Sequence, residues 1–408
     1  MKNIYSILLG ILVLSCTNEN SPNLPAQDAK PIQMSAVMEK RILQDNDFGL
    51  DLLKNTILLS EESNVMVSPL SVSVALGMAW NGAKGETKTE IGQILKLSNL
   101  TDNELNEYYK TMQSSLLVID PSTKLSIANA IWYREGFKVK PEFLKINSDN
   151  FKAYVKEIDF SKSWALDTIN NWCKKSTKGL IPSILDEIPS DAMMYLMNAV
   201  YFKGIWREKF DKSKTFSANF TNELAKETKV NMMTQQGTFD FSADEFAQYI
   251  DLPYGNKAFS MTIILPSNTL TINDILNRLD AQSIKTILQE MTPRQVDLKL
   301  PRFKVENKFK LNDPLISMGM PQAFNSESAN FSGISDIKLY ISEVIHKTYI
   351  TVDEEGTEAA AVTSIGFEYT SIPQYIDFNV NKPFLFLIRE KSTGIILFMG
   401  KVGNVIKY

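Results

Sequence analysis

The residues that most often carry catalysis are scarce in this 408-residue chain: one histidine, His346, and two cysteines, Cys16 and Cys173. His346 stands inside "ISEVIHKTYI", whose alternation is that of a strand burying one face. A Ser-His-Asp triad would require the imidazole to leave that strand, so the residues read as a hydrogen-bonded core histidine. A zinc site would have to be assembled from Asp, Glu and Cys with one imidazole at most, and neither HExxH nor CxxC spacing occurs. There is no Walker loop and no GxGxxG. "GTEAAA", from Gly356, lacks a second glycine and sets Glu358 where a phosphate would approach. Cys173, beside Trp172 in "INNWCKKSTKG", reads as a packed small apolar side chain. No cofactor, no metal and no catalytic residue is called for; an enzyme built on a serine and His346 is the weakest reading.

The elements that would hold these residues are helical first and strand-rich later. Hydrophobic residues make up 44% of the chain and aromatic ones 10%, enough for a sizeable core at this length. The net charge is −4 with no Lys/Arg cluster on the scale of a nucleic-acid footprint. In "VSPLSVSVALGMAWNGAKGETKTEIGQIL" Ser68 is placed to cap a helix that begins at Pro69. That helix is apolar on nearly all sides, hence buried, and it breaks around Gly82 and Gly85. "SWALDTINNWCKKSTKGLI" ends on Lys174, Lys175 and Lys178 before Gly179, the order of a helix C-terminus. From "MYLMNAVYFKGIW" onward come strand patterns: "FAQYIDLPYG", "FSMTIILP", "VDLKLPRFKV", "LYISEVIHKTYITV", and "PFLFLIRE" with "GIILFMGKV" as a hairpin about "KST". This order argues α+β with large antiparallel sheets.

The N-terminus carries a separate signal. "MKNIYSILLGILVLSC" sets one lysine before an apolar run from Ile4 to Leu14, the layout of an export signal (residues 1–15) too short to span a bilayer with comfort. "VLSC" resembles a bacterial lipobox, which implies lipidation of Cys16 and an anchor on the cell envelope, at an outer membrane, facing periplasm or exterior. Residues 16–33 are polar with three prolines and read as a flexible tether. With Cys16 lipidated no internal disulfide is available, so stability rests on the core. Residues 34–408 show no repeat and no second linker, and one domain is expected there.

Seven stretches, in order, resemble the serpins over almost the whole chain after the tether: "SPLSVSVALGMAWNGAKGETKTEI", "LSIANAIWY", "INNWCKKSTKGLI", "MNAVYFKGIWREKF", "VDLKLPRFKV", "VDEEGTEAAAVTS" and "NKPFLFLIREKSTGIILFMGKV". The resemblance implies three β-sheets with a large central mixed sheet, eight or nine helices, and an exposed reactive loop at about 354–377. It further implies suicide inhibition of proteases: the loop is cut as bait and inserts as a new central strand, carrying the acylated protease in a covalent 1:1 complex. Serine proteases are the implied partners, some cysteine proteases in addition, with a monomeric inhibitor and no nucleic acid. A non-inhibitory member acting as a surface binding protein is the alternative. Ser68, Ser71, Asn198 and His346 match the family's polar cluster beneath the point where the central strands part. Trp206, Arg302 and Glu354 match the top of the sheet, where an Arg302–Glu354 ion pair is expected.

The segment "VDEEGTEAAAVTSIGFEYTSIPQYIDF", Val352 to Phe378, has no period of its own, yet it is sorted for insertion. With Thr357 as the first inward position, Ala359, Ala361, Thr363, Ile365 and Phe367 follow on the same face, and Glu358 and Glu368 fall on the other. An ionised inward carboxylate would cost several kcal/mol and an inward Pro a ladder bond; neither occurs before Pro373. The family's hinge matches Glu354, Gly356, Thr357, Glu358, Ala359, Ala360 and Ala361. Counting about fifteen residues from Gly356 places the scissile bond between Thr370 and Ser371, or after a slip of one between Tyr369 and Thr370. Thr370 suits elastase-like pockets, and Tyr369 chymotrypsin-like or subtilisin-like ones. No Lys or Arg lies between Val352 and Asp377, which disfavours trypsin-like targets.

Overall fold

Ser35 starts the first helix by accepting a hydrogen bond from the Met38 N–H, and α1 (Ala36–Leu58) follows. The structure, a computed structural model, describes residues 27–97, 100–357 and 374–407. After β1 (Asn64–Val67), Ser68 caps α2 (Pro69–Trp80) by accepting from the Ser71 N–H at 3.3 Å. The chain turns at Gly82 into α3 (Gly85–Ile94), and a Thr101/Glu104 capping box opens α4 (Asp102–Leu116). Then come β2 (Lys124–Arg134), α5 (Pro141–Phe151), β3 (Tyr154–Ile158), α6 (Ser163–Ser176) and β4 (Met194–Ile205). The strand-rich half follows with β5 (Phe216–Thr221), β6 (Glu227–Ala243), β7 (Ala247–Pro253) and β8 (Phe259–Pro266), then α7 (Ile272–Leu276) and α8 (Ala281–Glu290). Last are β9 (Thr292–Pro301), β10 (Phe303–Lys310), α9 (Asn312–Ser317), β11 (Ile345–Asp353), β12 (Gly356–Thr357), β13 (Ile376–Asn379), β14 (Phe384–Glu390) and β15 (Ile396–Val402).

These strands make two mixed sheets, one of nine strands in the order β1-β15-β14-β8-β7-β6-β9-β13 with β5 on β6, and one of six in the order β10-β11-β12-β4-β2-β3. Two of the three sheets implied by the resemblance are continuous here. β6 runs unbroken for 17 residues, pairing with β5 over its first part, with β9 over its middle and with β7 at its end, and so joins them. The apolar α2 lies against β4 of one sheet and β15 of the other, which is why it is buried along most of its length. β14 and β15 form the expected hairpin.

Two sequence readings change. "VDLKLPRFKV" is one strand pattern but two strands, because Pro301 ends β9 and the chain crosses at Arg302 into β10 of the other sheet. "LYISEV" is not strand: Ile341 donates its N–H to the Ala323 carbonyl and Val344 to Asn312 Oδ1, so residues 339–344 bond to the α9 region instead of to a ladder. Of the segment expected as a tether, residues 27–33 lie on the body: Ala29 N–H reaches the Asn256 carbonyl at 2.8 Å, Ile32 N–H the Ser392 hydroxyl at 3.0 Å, and Asp28 pairs with Lys257 at 3.0 Å. Cys16 and residues 1–15, the expected export signal, lie outside the described residues. Among the described residues no helix is long and apolar enough to cross a membrane.

Candidate functional site at the head of the six-stranded sheet

The end of β11 is the acidic run Asp353-Glu354-Glu355, and the surrounding elements supply its cations. Phe303 of β10 stands opposite Val352 of β11, which brings the preceding residue, Arg302, beside Glu354. The Arg302 Nε and Nη2 both donate to Glu354 Oε1, at 2.9 and 2.7 Å, and the Thr215 hydroxyl donates to the same oxygen. Burial pushes the Glu354 carboxyl up, and these donors outweigh it, holding the group below its ordinary range. Glu355, also buried, pairs with Lys209 at 2.9 Å and Lys212 at 3.2 Å. Asp353 is shifted the other way, upward, chiefly by burial.

Trp206 locks the turn that follows. Its indole N–H donates to the Asp353 carbonyl at 2.8 Å, its backbone N–H to the Glu355 carbonyl at 2.9 Å, and the Phe210 N–H to the Glu354 carbonyl at 3.0 Å. The turn therefore ends with the chain reversed and aimed back between strands. Gly356 and Thr357, as β12, pair with Ile205 and Gly204 of β4 on one side and with Asp353 and Val352 of β11 on the other. Thr357 is buried, its hydroxyl sharing a 2.7 Å hydrogen bond with that of Tyr254. Among the described residues β4 and β11 form no ladder with each other; β12 alone joins them.

Lower down, the polar cluster falls into two groups. His346 Nε2 accepts the Ser68 N–H at 2.9 Å, and the Ser68 hydroxyl donates to the Leu397 carbonyl at 2.7 Å while accepting from the Ser71 N–H. Burial holds the imidazole down at about 4, so the ring is neutral and Nε2 is the acceptor. Asn198, on β4, donates instead to Asn129 Oδ1 at 2.6 Å, and its own buried Oδ1 has no hydrogen-bond donor among the described residues. Ser68, Ser71 and His346 thus meet, and Asn198 stands apart, on the facing strand.

Of the other positions named from the sequence, Trp206, Arg302 and Glu354 come together as described, with Gly356 and Thr357 next to them. Glu358, Ala359, Ala360, Ala361, Tyr369, Thr370 and Ser371 lie outside the described residues. Cys173 is buried on α6, its thiol pushed up to about 11 by burial, a poor nucleophile. Sequence reasoning missed Tyr254, Thr215, Lys209 and Lys212. Each is an ordinary residue in an ordinary pattern, and only the fold carries it to the hinge. Among the described residues no group of three His, Cys, Asp or Glu side chains could hold a metal ion.

Among the described residues the site is thus a hinge, Gly356-Thr357, paired between β4 and β11 with a polar cluster beneath it. Residues 43–405 match the family described as Serpin (serine protease inhibitor). Iripin-8 of Ixodes ricinus is 36% identical over 375 residues, covering 88% of this chain and 92% of the relative. The leukocyte elastase inhibitor of Xenopus laevis is 35% identical, covering 88% and 97%. Among solved structures, the native state of tengpin, a thermophilic serpin, superposes with a TM-score of 0.84 at 35% identity, covering 93% of this chain and 97% of tengpin. The chain belongs to the serpins.

Proposed function

We propose that this serpin is a suicide inhibitor of serine proteases with elastase-like, chymotrypsin-like or subtilisin-like primary pockets, some cysteine proteases being further targets. The observation that carries the reading is β12: the hinge already lies between β4 and β11, which do not otherwise pair among the described residues. Continuing its register downward sets position 359 level with Phe202 and Ile350, 361 with Val200 and Thr348, and 363 with Asn198 and His346. The β11 residues of that series, Thr348, Ile350, Val352 and His346, are buried, so an inserting strand would bring Ala359, Ala361 and Thr363 to the core face and Glu358 to the other. Thr363 would then stand between the two halves of the polar cluster, where the Asn198 Oδ1, without a donor among the described residues, would meet a hydroxyl.

In this mechanism the protease serine attacks the bond after Thr370, or after Tyr369, and forms an acyl ester with the cut loop. Insertion then drags the ester-linked protease away before water can release it. Incubation with a panel of serine proteases tests the reading: an SDS-stable 1:1 complex with elastase-like or chymotrypsin-like enzymes supports it. Cleavage in the loop with no complex for any enzyme would favour a non-inhibitory surface binding protein.

The leader extends the proposal to place. A lipidated Cys16 would hold a monomeric inhibitor on the cell envelope, at an outer membrane, through the chain up to residue 26. Full-length protein that partitions to membranes, and a Cys16→Ser variant that does not, are the expected outcome; equal partitioning would remove the anchor.

A further inference from the structure

Tyr254 sits where β7 ends, about a hundred residues from the hinge it touches, and its ring is fixed on every side. Trp206 stacks on it at 4.4 Å with an interplanar angle of 10°, and Phe202 meets it edge-on at 5.1 Å. Gly204 leaves it room: a Cβ there would fall 2.6 Å from Tyr254 Cδ1. Its own backbone N–H donates to the Phe259 carbonyl, and the next residue, Gly255, donates to Ile205 at the end of β4. Burial raises the phenol well above its ordinary range, so the hydroxyl is neutral at every physiological pH. Among the described residues this rigid hydroxyl has one hydrogen-bond partner, Thr357 Oγ1 at 2.7 Å, and the pair is buried, Tyr254 to 0% and Thr357 to 3% exposure. A buried hydroxyl without a partner is costly, so each favours the geometry that keeps the other.

We propose that Tyr254 is a positioning residue for loop insertion: its hydroxyl fixes Thr357 level with Gly204 and Val352, and so sets the register in which the following residues enter the sheet. Among the described residues the backbone pairing of β12 covers Gly356 and Thr357, and a slip by one there would turn every inward side chain that follows outward. A side-chain anchor on the first inward residue removes that freedom before the rest of the segment commits. The proposal rests on the inhibitory reading above, and its test separates the two.

Tyr254→Phe keeps the ring and deletes the hydroxyl; Thr357→Val deletes its partner at nearly constant shape; Thr357→Ser retains a hydroxyl. With a protease that the wild type traps, the ratio of cleaved inhibitor to covalent complex is expected to rise roughly three- to tenfold in Tyr254→Phe, the factor that one neutral hydrogen bond commands. Thr357→Val should match it, the double variant should be no worse than either, and Thr357→Ser should stay near wild type. A merely structural Tyr254 would instead lower the melting temperature while leaving this ratio alone. An unchanged ratio in Tyr254→Phe, or effects that add in the double variant, would overturn the proposal. If the wild type forms no complex with any protease, the inhibitory reading has failed, and amide hydrogen exchange decides the positioning role alone. Faster exchange at Gly356 and Thr357 in Tyr254→Phe than in wild type supports it, and equal exchange overturns it.

Discussion

Gly356 carries a φ of +145°, and a Cβ there would lie 2.1 Å from the Gly204 carbonyl oxygen. Both the torsion and the space exclude a side chain. Gly356→Ala is expected to destabilise the protein by about 1–3 kcal/mol and to expose the Thr357 amide to exchange, because β12 must move off β4; unchanged exchange would contradict this. His346 gives a second residue-scale prediction, with a definite sign. Its folded pKa is about 4 against 6.5 for the free side chain, so between those values the unfolded chain binds the extra proton and stability rises with pH. Urea unfolding should show a stability loss growing as pH falls from 6.5 towards 4, approaching about 3 kcal/mol. His346→Gln should lose that slope, and an identical pH profile in both proteins would refute the assignment.

At the scale of elements, the ion pair at the hinge is a joint between the β9–β10 crossover and the end of β11. Glu354 has a side-chain exposure of 0% and Arg302 of 29%. Arg302→Ala leaves a buried carboxylate that keeps the Thr215 hydroxyl and a backbone N–H but has lost its guanidinium partner, at an expected cost of about 2 kcal/mol, less than for a wholly buried pair. Thermal unfolding reads it, with the exposed i,i+4 pair Lys145–Asp149 as a control expected to contribute almost nothing. The pair shows what was legible. Glu354, Arg302 and Trp206 could be named because each stands in a recognisable stretch, but "VDLKLPRFKV" gave no sign that Arg302 is the crossover, since a proline at a strand end and one within an edge strand look alike in sequence. Helices with caps and glycine stops, such as α2 and α6, were readable for the opposite reason: their signals are local. Tyr254 was not, because its meaning lies in a contact across some hundred residues. Alternation in the loop was readable and has its own test. One residue inserted after Ala361 would reverse the facing of everything beyond it, turning the protein from inhibitor into substrate; a two-residue insertion should largely preserve complex formation. Equal complex yield from both would sink the parity argument.

Across the whole molecule, the two sheets differ in how they can be divided. The nine-stranded sheet is tied together by β6, whereas the six-stranded one is held across its middle by β12 among the described residues. An inserted strand would fill that middle with backbone pairing on both sides, so the protein cut in its loop should melt well above the intact one. Equal melting temperatures would mean that cutting releases no insertion.

The two ends of the proposed bait are held in different sheets, Thr357 in the six-stranded one and Ile376 in the nine-stranded one, where β13 lies parallel to β9. This turns the site of cutting into a measure of length. A cut leaves the β13 side in place and frees only the residues between Thr357 and the break, each worth about 3.3 Å of strand. Cutting after Thr370 would release roughly 43 Å by that figure, more than the 12 residues of β4 can line. Cutting near Ala361 would release too little to carry a protease past the middle of the sheet. On the proposed mechanism the chain would report where it was cut by how far it travels, and a protease that cut early would not be carried far enough to be held.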